Sequence, residues 1–257
     1  MKFTVTGNPE LETIILLHGG GLSDWSLHRQ VDYLAKNYYV VAPIIDGHGE
    51  DGETTFKSIE DSANQLIDFI DTHRNGRVFA ICGLSLGAQI VMEVLSKRRG
   101  ITQHAVIESG LAIPIETLTK FSMLTQKMTY RWIQQKWFAK MQAKTLNIAD
   151  HLFDKYFEDS QKISKQSLLN ITYSNGNFQL SKRVQETEAN VLIIVGSKEI
   201  KLMKESAHLL KKTIPHSTLY IAEGMNHGEL SLVHTEEYLA LIEAFFQGRD
   251  ILPVVKK

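Results

Sequence analysis

The five residues Gly83-Leu84-Ser85-Leu86-Gly87 carry the clearest chemical signal in the chain. They follow Arg77-Val78-Phe79-Ala80-Ile81-Cys82, an apolar run with strand character, and precede Ala88-Gln89-Ile90-Val91-Met92-Glu93-Val94-Leu95, which has helix character. A G-x-S-x-G pattern in that setting implies a sharp turn whose glycines let the backbone pass close to its neighbours. The Ser85 hydroxyl then projects at the carboxyl end of a sheet, where the free N–H groups that open the helix also point. On their own the five residues fit an ordinary strand-to-helix turn equally well, so their partners elsewhere must decide. His18-Gly19-Gly20-Gly21 ends another apolar run. Three glycines leave backbone N–H groups unshielded, which suits an anion or an oxyanion, or else a flexible turn. Asp46 and His48 could suggest a metal pair, but no further His, Cys or Asp follows at ligand spacing, so no metal is expected. Cys82 lies in the run before the serine and reads as a small buried strand residue rather than a nucleophile.

The elements that must position these residues alternate along the chain. Phe3 to Thr6 alternates as an edge strand does, and Thr13-Ile14-Ile15-Leu16-Leu17 is continuously apolar, as expected of a strand buried on both faces. The pattern predicts a helix from Leu27 to Lys36 and a strand over Tyr38-Tyr39-Val40-Val41-Ala42-Pro43. Ser58-Ile59-Glu60-Asp61 resembles a capping box, and Ile59, Ala63, Leu66, Ile67 and Ile70 follow at helical spacing. The helix after Ser85 stops at Lys97-Arg98-Arg99-Gly100, and Ala105-Val106-Ile107 opens a strand that ends near Glu108-Ser109-Gly110. The alternation lapses from Pro114 to Asn177, a helical, aromatic-rich stretch; most of its aromatics are expected to pack among themselves and a few to line a pocket facing Ser85, with Trp132 and Trp137 the first to test for lining against pure cap core. It resumes with a strand at Val191–Val195, a helix near Met203–Thr213, a strand at Ser217–Ile221 and a last helix bearing Tyr238, Leu241, Ile242 and Phe245 on one face. This order predicts an α/β fold: a mostly parallel central sheet flanked by helices on both faces. Residues 1–113 and 178–257 would form the core, and residues 114–177 an inserted helical cap.

The whole-chain quantities exclude several classes. At 257 residues and 43% hydrophobic content, the chain can bury a sizeable core as one domain with an insertion. A net charge of -1 with both signs mixed gives no reason to propose nucleic acid or an acidic membrane surface as a partner. A single cysteine cannot form an internal disulfide, which fits a reducing, cytoplasmic setting. Met1 to Gly7 reaches polar residues too soon for a signal peptide, and no apolar run approaches membrane-spanning length.

With these pieces in order the chain resembles the α/β-hydrolase superfamily in its cap-bearing form. The resemblance runs from His18 to about Phe246 and rests on His18-Gly19-Gly20-Gly21, Gly83-Leu84-Ser85-Leu86-Gly87, Gly196-Ser197-Lys198-Glu199 and His227 after the last strand. The order Ser, acid, His is that of the family. By resemblance Ser85 is the nucleophile, His227 the base that takes its proton and returns it to the leaving group, and Glu199 the acid that holds the imidazole. The family more often has Asp at that place, and Glu108, at the end of the preceding core strand, is the rival. The resemblance also implies a backbone oxyanion hole from the N–H groups of Gly20 and Leu86, with Gly21 as a possible third, and a His18 that holds its loop by hydrogen bonds.

The implied activity is that of a serine hydrolase cleaving a small ester or related acyl compound through an acyl-enzyme, without a cofactor. Thioester, lactone and carbon–carbon hydrolysis and acyl transfer use the same constellation, and the fold also serves as a non-catalytic ligand receptor. The expected partner is a small acyl substrate, with neither nucleic acid nor membrane.

Overall fold

The computed structural model describes residues 1–251 of the chain, so the last six positions of the 178–257 segment lie outside the described residues. Seven strands form one sheet: β1 (Lys2–Thr6), β2 (Thr13–Leu17), β3 (Tyr39–Ile44), β4 (Val78–Leu84), β5 (Thr102–Glu108), β6 (Asn190–Gly196) and β7 (Ser217–Ala222). Their order across the sheet is β1-β3-β2-β4-β5-β6-β7. Only β1 runs antiparallel, against β3, and every other pairing is parallel. All the carboxyl ends of β2 to β7 therefore meet along one edge, and β4 occupies the centre.

The apolar runs are strands because both of their faces are covered. All five residues of β2 are buried. Ile15 and Leu17 join a core with Ile81, while Ile14 and Leu16 join a second core with Ala80 and Cys82 on the other face. That split is the two-residue alternation of a pleated strand. Helices α2 (Ile59–His73), α3 (Leu86–Lys97) and α8 (Lys201–Thr213) supply the first core, and α1 (His28–Leu34) and α10 (Thr235–Phe246) the second. Half of the capping box forms: the Ser58 hydroxyl accepts from the Asp61 N–H at 3.0 Å and opens α2, while the Asp61 carboxylate accepts from Gln65 instead.

Between β5 and β6 the chain leaves the sheet and makes four helices, α4 (Glu116–Ile133), α5 (Lys136–Thr145), α6 (Phe153–Lys162) and α7 (Lys165–Gly176). The two ends of this insertion are tied together, since the Ile115 N–H donates to the Gly176 carbonyl at 2.7 Å. A methyl group on Gly176 would fall 1.9 Å from Thr119 Oγ1, so α4 and α7 pack backbone to side chain there. Among the described residues no helix is long and apolar enough to cross a membrane. A short α9 (Glu229–Leu232) follows β7.

Candidate active site

Ser85 alone makes the turn between β4 and α3, with φ 52° and ψ -108°. Such a backbone costs a non-glycine residue about 1–3 kcal/mol, and persists where the surroundings over-determine it. Here the Ser85 N–H donates to the Glu108 carbonyl at 2.9 Å, and its own carbonyl accepts from the Gln89 N–H at 3.1 Å. Glycine is required on both sides. A Cβ on Gly83 would stand 2.4 Å from the Gly87 carbonyl oxygen, and one on Gly87 would stand 2.5 Å from that of Leu17.

The turn brings the Ser85 Oγ to 3.0 Å from His227 Nε2. His227 lies in the loop after β7, and its Nδ1 stands 2.9 Å from Glu199 Oε2. Glu199, just past β6, is buried. Its other oxygen accepts from the Gly196 N–H at 2.8 Å and from the Ser109 hydroxyl at 2.8 Å. Burial is the largest single influence on its pKa and pushes it up. The hydrogen bonds from His227 and Gly196, the charge of His227 and the Ser109 hydroxyl together outweigh it, so the carboxyl is held below its ordinary value. An ionised Glu199 fixes the proton of His227 on Nδ1 and leaves Nε2 free to accept the Ser85 proton.

Glu108 ends the neighbouring β5, and the two ring nitrogens of His227 are taken by Glu199 and Ser85 instead. Its Oε1 accepts from the Ser231 N–H of α9 at 3.1 Å, and burial raises its pKa to about 7. Both carboxylates flank the site, and Glu199 is the one hydrogen-bonded to His227. Cys82 is buried with its thiol pushed by burial up to about 12, which suits a core residue and not a nucleophile.

The glycine loop after β2 faces the turn. A Cβ on Gly20 would lie 3.7 Å from the Cβ of Leu86, so the two residues are neighbours across the site. Among the described residues the Gly20 and Gly21 N–H groups donate to no backbone carbonyl, and Leu86 is the first residue of α3, whose N–H has no partner within the helix. His18 holds this loop. Its Nε2 accepts from the Ile45 N–H at 3.1 Å, so its Nδ1–H donates to the Gly19 carbonyl at 2.9 Å. Complete burial, with the nearby His48 adding to it, depresses its pKa to about 3, and the ring is neutral. Asp46 Oδ2 accepts from Gln65 at 2.7 Å, while the His48 ring has its Nδ1 3.1 Å from the Asp46 carbonyl and borders the cavity.

That cavity, of about 490 Å³, lies between the Ser85 turn and the helices of the insertion. Leu168 and Ile171 of α7 and Ile133 of α4 give it apolar walls, and Gln126, Gln142 and Asn175 give uncharged polar ones. Among the described residues no Lys or Arg lines it. Its one acidic lining residue, Asp159, accepts from Trp25 Nε1 at 2.7 Å and lies 3.4 Å from Lys162 Nζ. The aromatic expectation is corrected here. Within 114–177 only Tyr156 among the aromatics lines the cavity, whereas Trp132 and Trp137 are half or more exposed on the outer surface. Composition marked this stretch as helical and aromatic-rich but did not say which way its aromatics faced.

Two residues beyond those picked from the sequence belong to the site. Ser109 has φ 52°, and its hydroxyl bridges Glu199 and the Gly228 N–H, the latter at 3.2 Å. The signal was a polar residue at a strand's carboxyl end beside Glu108, visible in Glu108-Ser109-Gly110. Asn147, after α5, donates from Nδ2 to the His227 carbonyl at 3.1 Å, and nothing in the sequence marked it.

The sheet order, the crossing helices and the strand-end turns are those of the α/β-hydrolase fold. Residues 8–231 match the family described as serine aminopeptidase, S33, and the chain belongs to it. A curated relative, the (E)-2-((N-methylformamido)methylene)succinate hydrolase of Acinetobacter baylyi, is 21% identical over 225 residues, covering 85% of this chain and 84% of its own. Among solved structures, a carboxylesterase of Nitrososphaera gargenis superposes with a TM-score of 0.79 at 18% identity, over 96% of this chain and 93% of that one. MenH from S. aureus superposes with a TM-score of 0.78 at 16% identity, over 96% and 98%. At these identities the superpositions speak for the fold.

Proposed function

We propose that this α/β-hydrolase is a serine hydrolase that cleaves a small, uncharged ester or related acyl compound through an acyl-enzyme. The observation that carries the reading is the unbroken chain from Ser85 Oγ through His227 to Glu199, at 3.0 and 2.9 Å, opening into the cavity. A serine hydroxyl is a poor nucleophile until a base removes its proton during attack. His227 Nε2 takes that proton as Ser85 Oγ bonds to the acyl carbon, and Glu199 stabilises the imidazolium that results. The acyl oxygen becomes an oxyanion facing the N–H groups of Gly20 and Leu86, with Gly21 as a further donor; each such donor is worth about 3–4 kcal/mol at the transition state. His227 then protonates the leaving group, the carbon–oxygen bond breaks, and water repeats the sequence to free Ser85.

The insertion acts as a cap in this reading. Its apolar walls exclude water and hold the substrate's apolar part. An uncharged substrate is favoured because no cation among the described residues lines the cavity. The curated relative acts, by its name, on a substituted succinate, and two carboxylates would find no Lys or Arg to pair with in this cavity. The test is labelling with a fluorophosphonate, mass mapping of the modified residue, and turnover of short-chain chromogenic esters by wild type and Ser85→Ala. Label on Ser85 and loss of nearly all turnover in a folded variant are expected. Turnover that survives in Ser85→Ala would sink the mechanism, and an unlabelled, inactive wild type would favour a ligand receptor.

A further inference from the structure

The outer face of α4 and α5 is apolar where a surface helix should be polar. Phe121, Leu124, Met128, Trp132, Trp137 and Met141 are all at least half exposed. On α4 the first four recur at three- and four-residue spacing and so form one stripe, and on α5 Trp137 and Met141 are four apart. The rings of Trp132, Trp137 and Phe138 meet at centroid distances of 5.6 to 6.2 Å and join the two stripes into a patch. Single exposed apolar residues need no explanation, but a contiguous patch of this kind marks a contact surface.

The charges around the patch say what kind of surface it meets. Lys120, Lys127 and Arg131 run along α4 beside the apolar stripe, and Lys136, Lys140 and Lys144 run along α5. Glu116 is the only acidic residue on these two helices. Among the described residues Lys136 is paired with Asp154 at 3.6 Å, and none of the other five cations forms an ion pair. The whole chain carries -1, so the remainder is net acidic and the excess is local. A second copy of the chain docking through the same patch about a two-fold axis would bring these cations against themselves. An anionic surface that is apolar underneath satisfies both features at once.

We infer that the α4–α5 face docks on an anionic phospholipid bilayer, with the aromatic and Met side chains entering the headgroup boundary and the six cations meeting lipid phosphates. Leu118 links the face to the site, since it is more than half exposed and also borders the cavity over Ser85. Docking would therefore set the cavity mouth close to the bilayer. The inference does not depend on the catalytic reading, because vesicle binding is measured without turnover.

The test is co-sedimentation of the full chain with phosphatidylcholine vesicles and with vesicles holding a large fraction of phosphatidylserine, at low and high salt. Binding to the second and not the first, weakened by salt, is expected. At roughly a factor of five per cation at the surface, Lys120→Gln/Lys127→Gln/Arg131→Gln should bind about 100-fold more weakly. Trp132→Ser/Trp137→Ser should lose at least about tenfold. Both sets are exposed, so circular dichroism should show unchanged folding, and ester turnover in solution should be preserved. Absence of wild-type binding to anionic vesicles, or equal binding by all variants, overturns the inference. A dimer in sedimentation velocity that Trp132→Ser/Trp137→Ser dissolves, with no vesicle binding, would assign the face to a second copy.

Discussion

Replacing Glu199 by Gln keeps the side chain's shape and removes the charge that orients His227. The amide has one oxygen for two sets of donors. Oε2 now accepts from His227 Nδ1, and Oε1 from the Gly196 N–H and the Ser109 hydroxyl. If the new NH2 faces His227, the ring must shift its proton to Nε2 and can no longer take one from Ser85. If it faces Gly196 and Ser109, two donors oppose a third. Either way kcat should fall on the order of 10⁴, with KM little changed. The partner experiment is Glu108→Gln. Its carboxyl does not reach the ring, so kcat should change by less than about tenfold, but stability should respond to pH.

The sign follows from burial. Glu108 keeps its proton in the folded protein up to about pH 7, whereas its ordinary value is 4.5. Below the ordinary value folded and unfolded chains hold the proton alike. Between the two values only the unfolded chain releases it, so wild-type stability falls as pH rises, and the loss is complete above the folded value. It amounts to about 3 kcal/mol for a group fully withdrawn from water. Gln does not titrate, so urea unfolding should show Glu108→Gln gaining about 3 kcal/mol on wild type between about pH 4 and about pH 8. Ester kinetics and urea curves on both variants decide the matter. If Glu108→Gln destroys turnover and Glu199→Gln spares it, the roles are reversed. If the stability difference is flat with pH, Glu108 is ionised in the fold and the account of its burial is wrong.

Two further expectations concern the turn and the cavity. Gly83→Ala places a methyl group 2.4 Å from the Gly87 carbonyl oxygen, so it should lower stability by about 2 kcal/mol or more and reduce soluble yield, measured by thermal unfolding; an unchanged Tm would mean the turn is looser than described. Ile171→Ala, in a wall residue 4.0 Å from the Cβ position of Gly20, should shift the ratio of kcat/KM between long and short acyl esters by about tenfold, whereas Trp137→Ala on the outer face should not. A ratio moved by Trp137 and not by Ile171 would place the acyl pocket elsewhere.

What the sequence disclosed depended on whether the deciding interaction was local. The strands were legible because continuous burial on both faces leaves an unbroken apolar run, as in Thr13–Leu17. The Ser85 turn was legible because two glycines and a serine must sit at fixed offsets for the backbone to pass. The start of α2 was legible because Ser58 caps a neighbour three residues on. Ser109 stood in view at a strand end but its role did not, since that role lies in pairing across β5 and β6, whose strands are separated in sequence by the whole helical insertion. The Ser109 N–H donates to the Ile194 carbonyl at 2.9 Å, and that register is what delivers its hydroxyl to Glu199. The direction of the α4 stripe was illegible for a related reason. Period alone gives a face, and only packing against α7 and the cavity says that Thr119, Gln126 and Ile133 turn inward while Phe121, Met128 and Trp132 turn out.

The two glutamates show how the fold, rather than the residue type, assigns chemistry at a sheet edge. Both are almost completely buried, so desolvation alone would keep both protonated. Glu199 meets three donors: the His227 ring, the Gly196 N–H and the Ser109 hydroxyl. Glu108 meets the N–H and the hydroxyl of Ser231, too little to offset its burial, and rises to about 7. The difference comes from the loop after β6, which folds back so that the Glu199 N–H also donates to the Gly196 carbonyl at 3.1 Å and turns its side chain onto the strand end. Glu108 is still in register within β5, and its side chain points behind the turn toward α9. Its contribution is made through the backbone, where its carbonyl holds the Ser85 N–H in the strained turn. One carboxylate thus carries charge for the imidazole while its neighbour, raised by burial to about 7, holds its proton below that pH and braces the nucleophile, so that a second negative charge near Glu199 is disfavoured there.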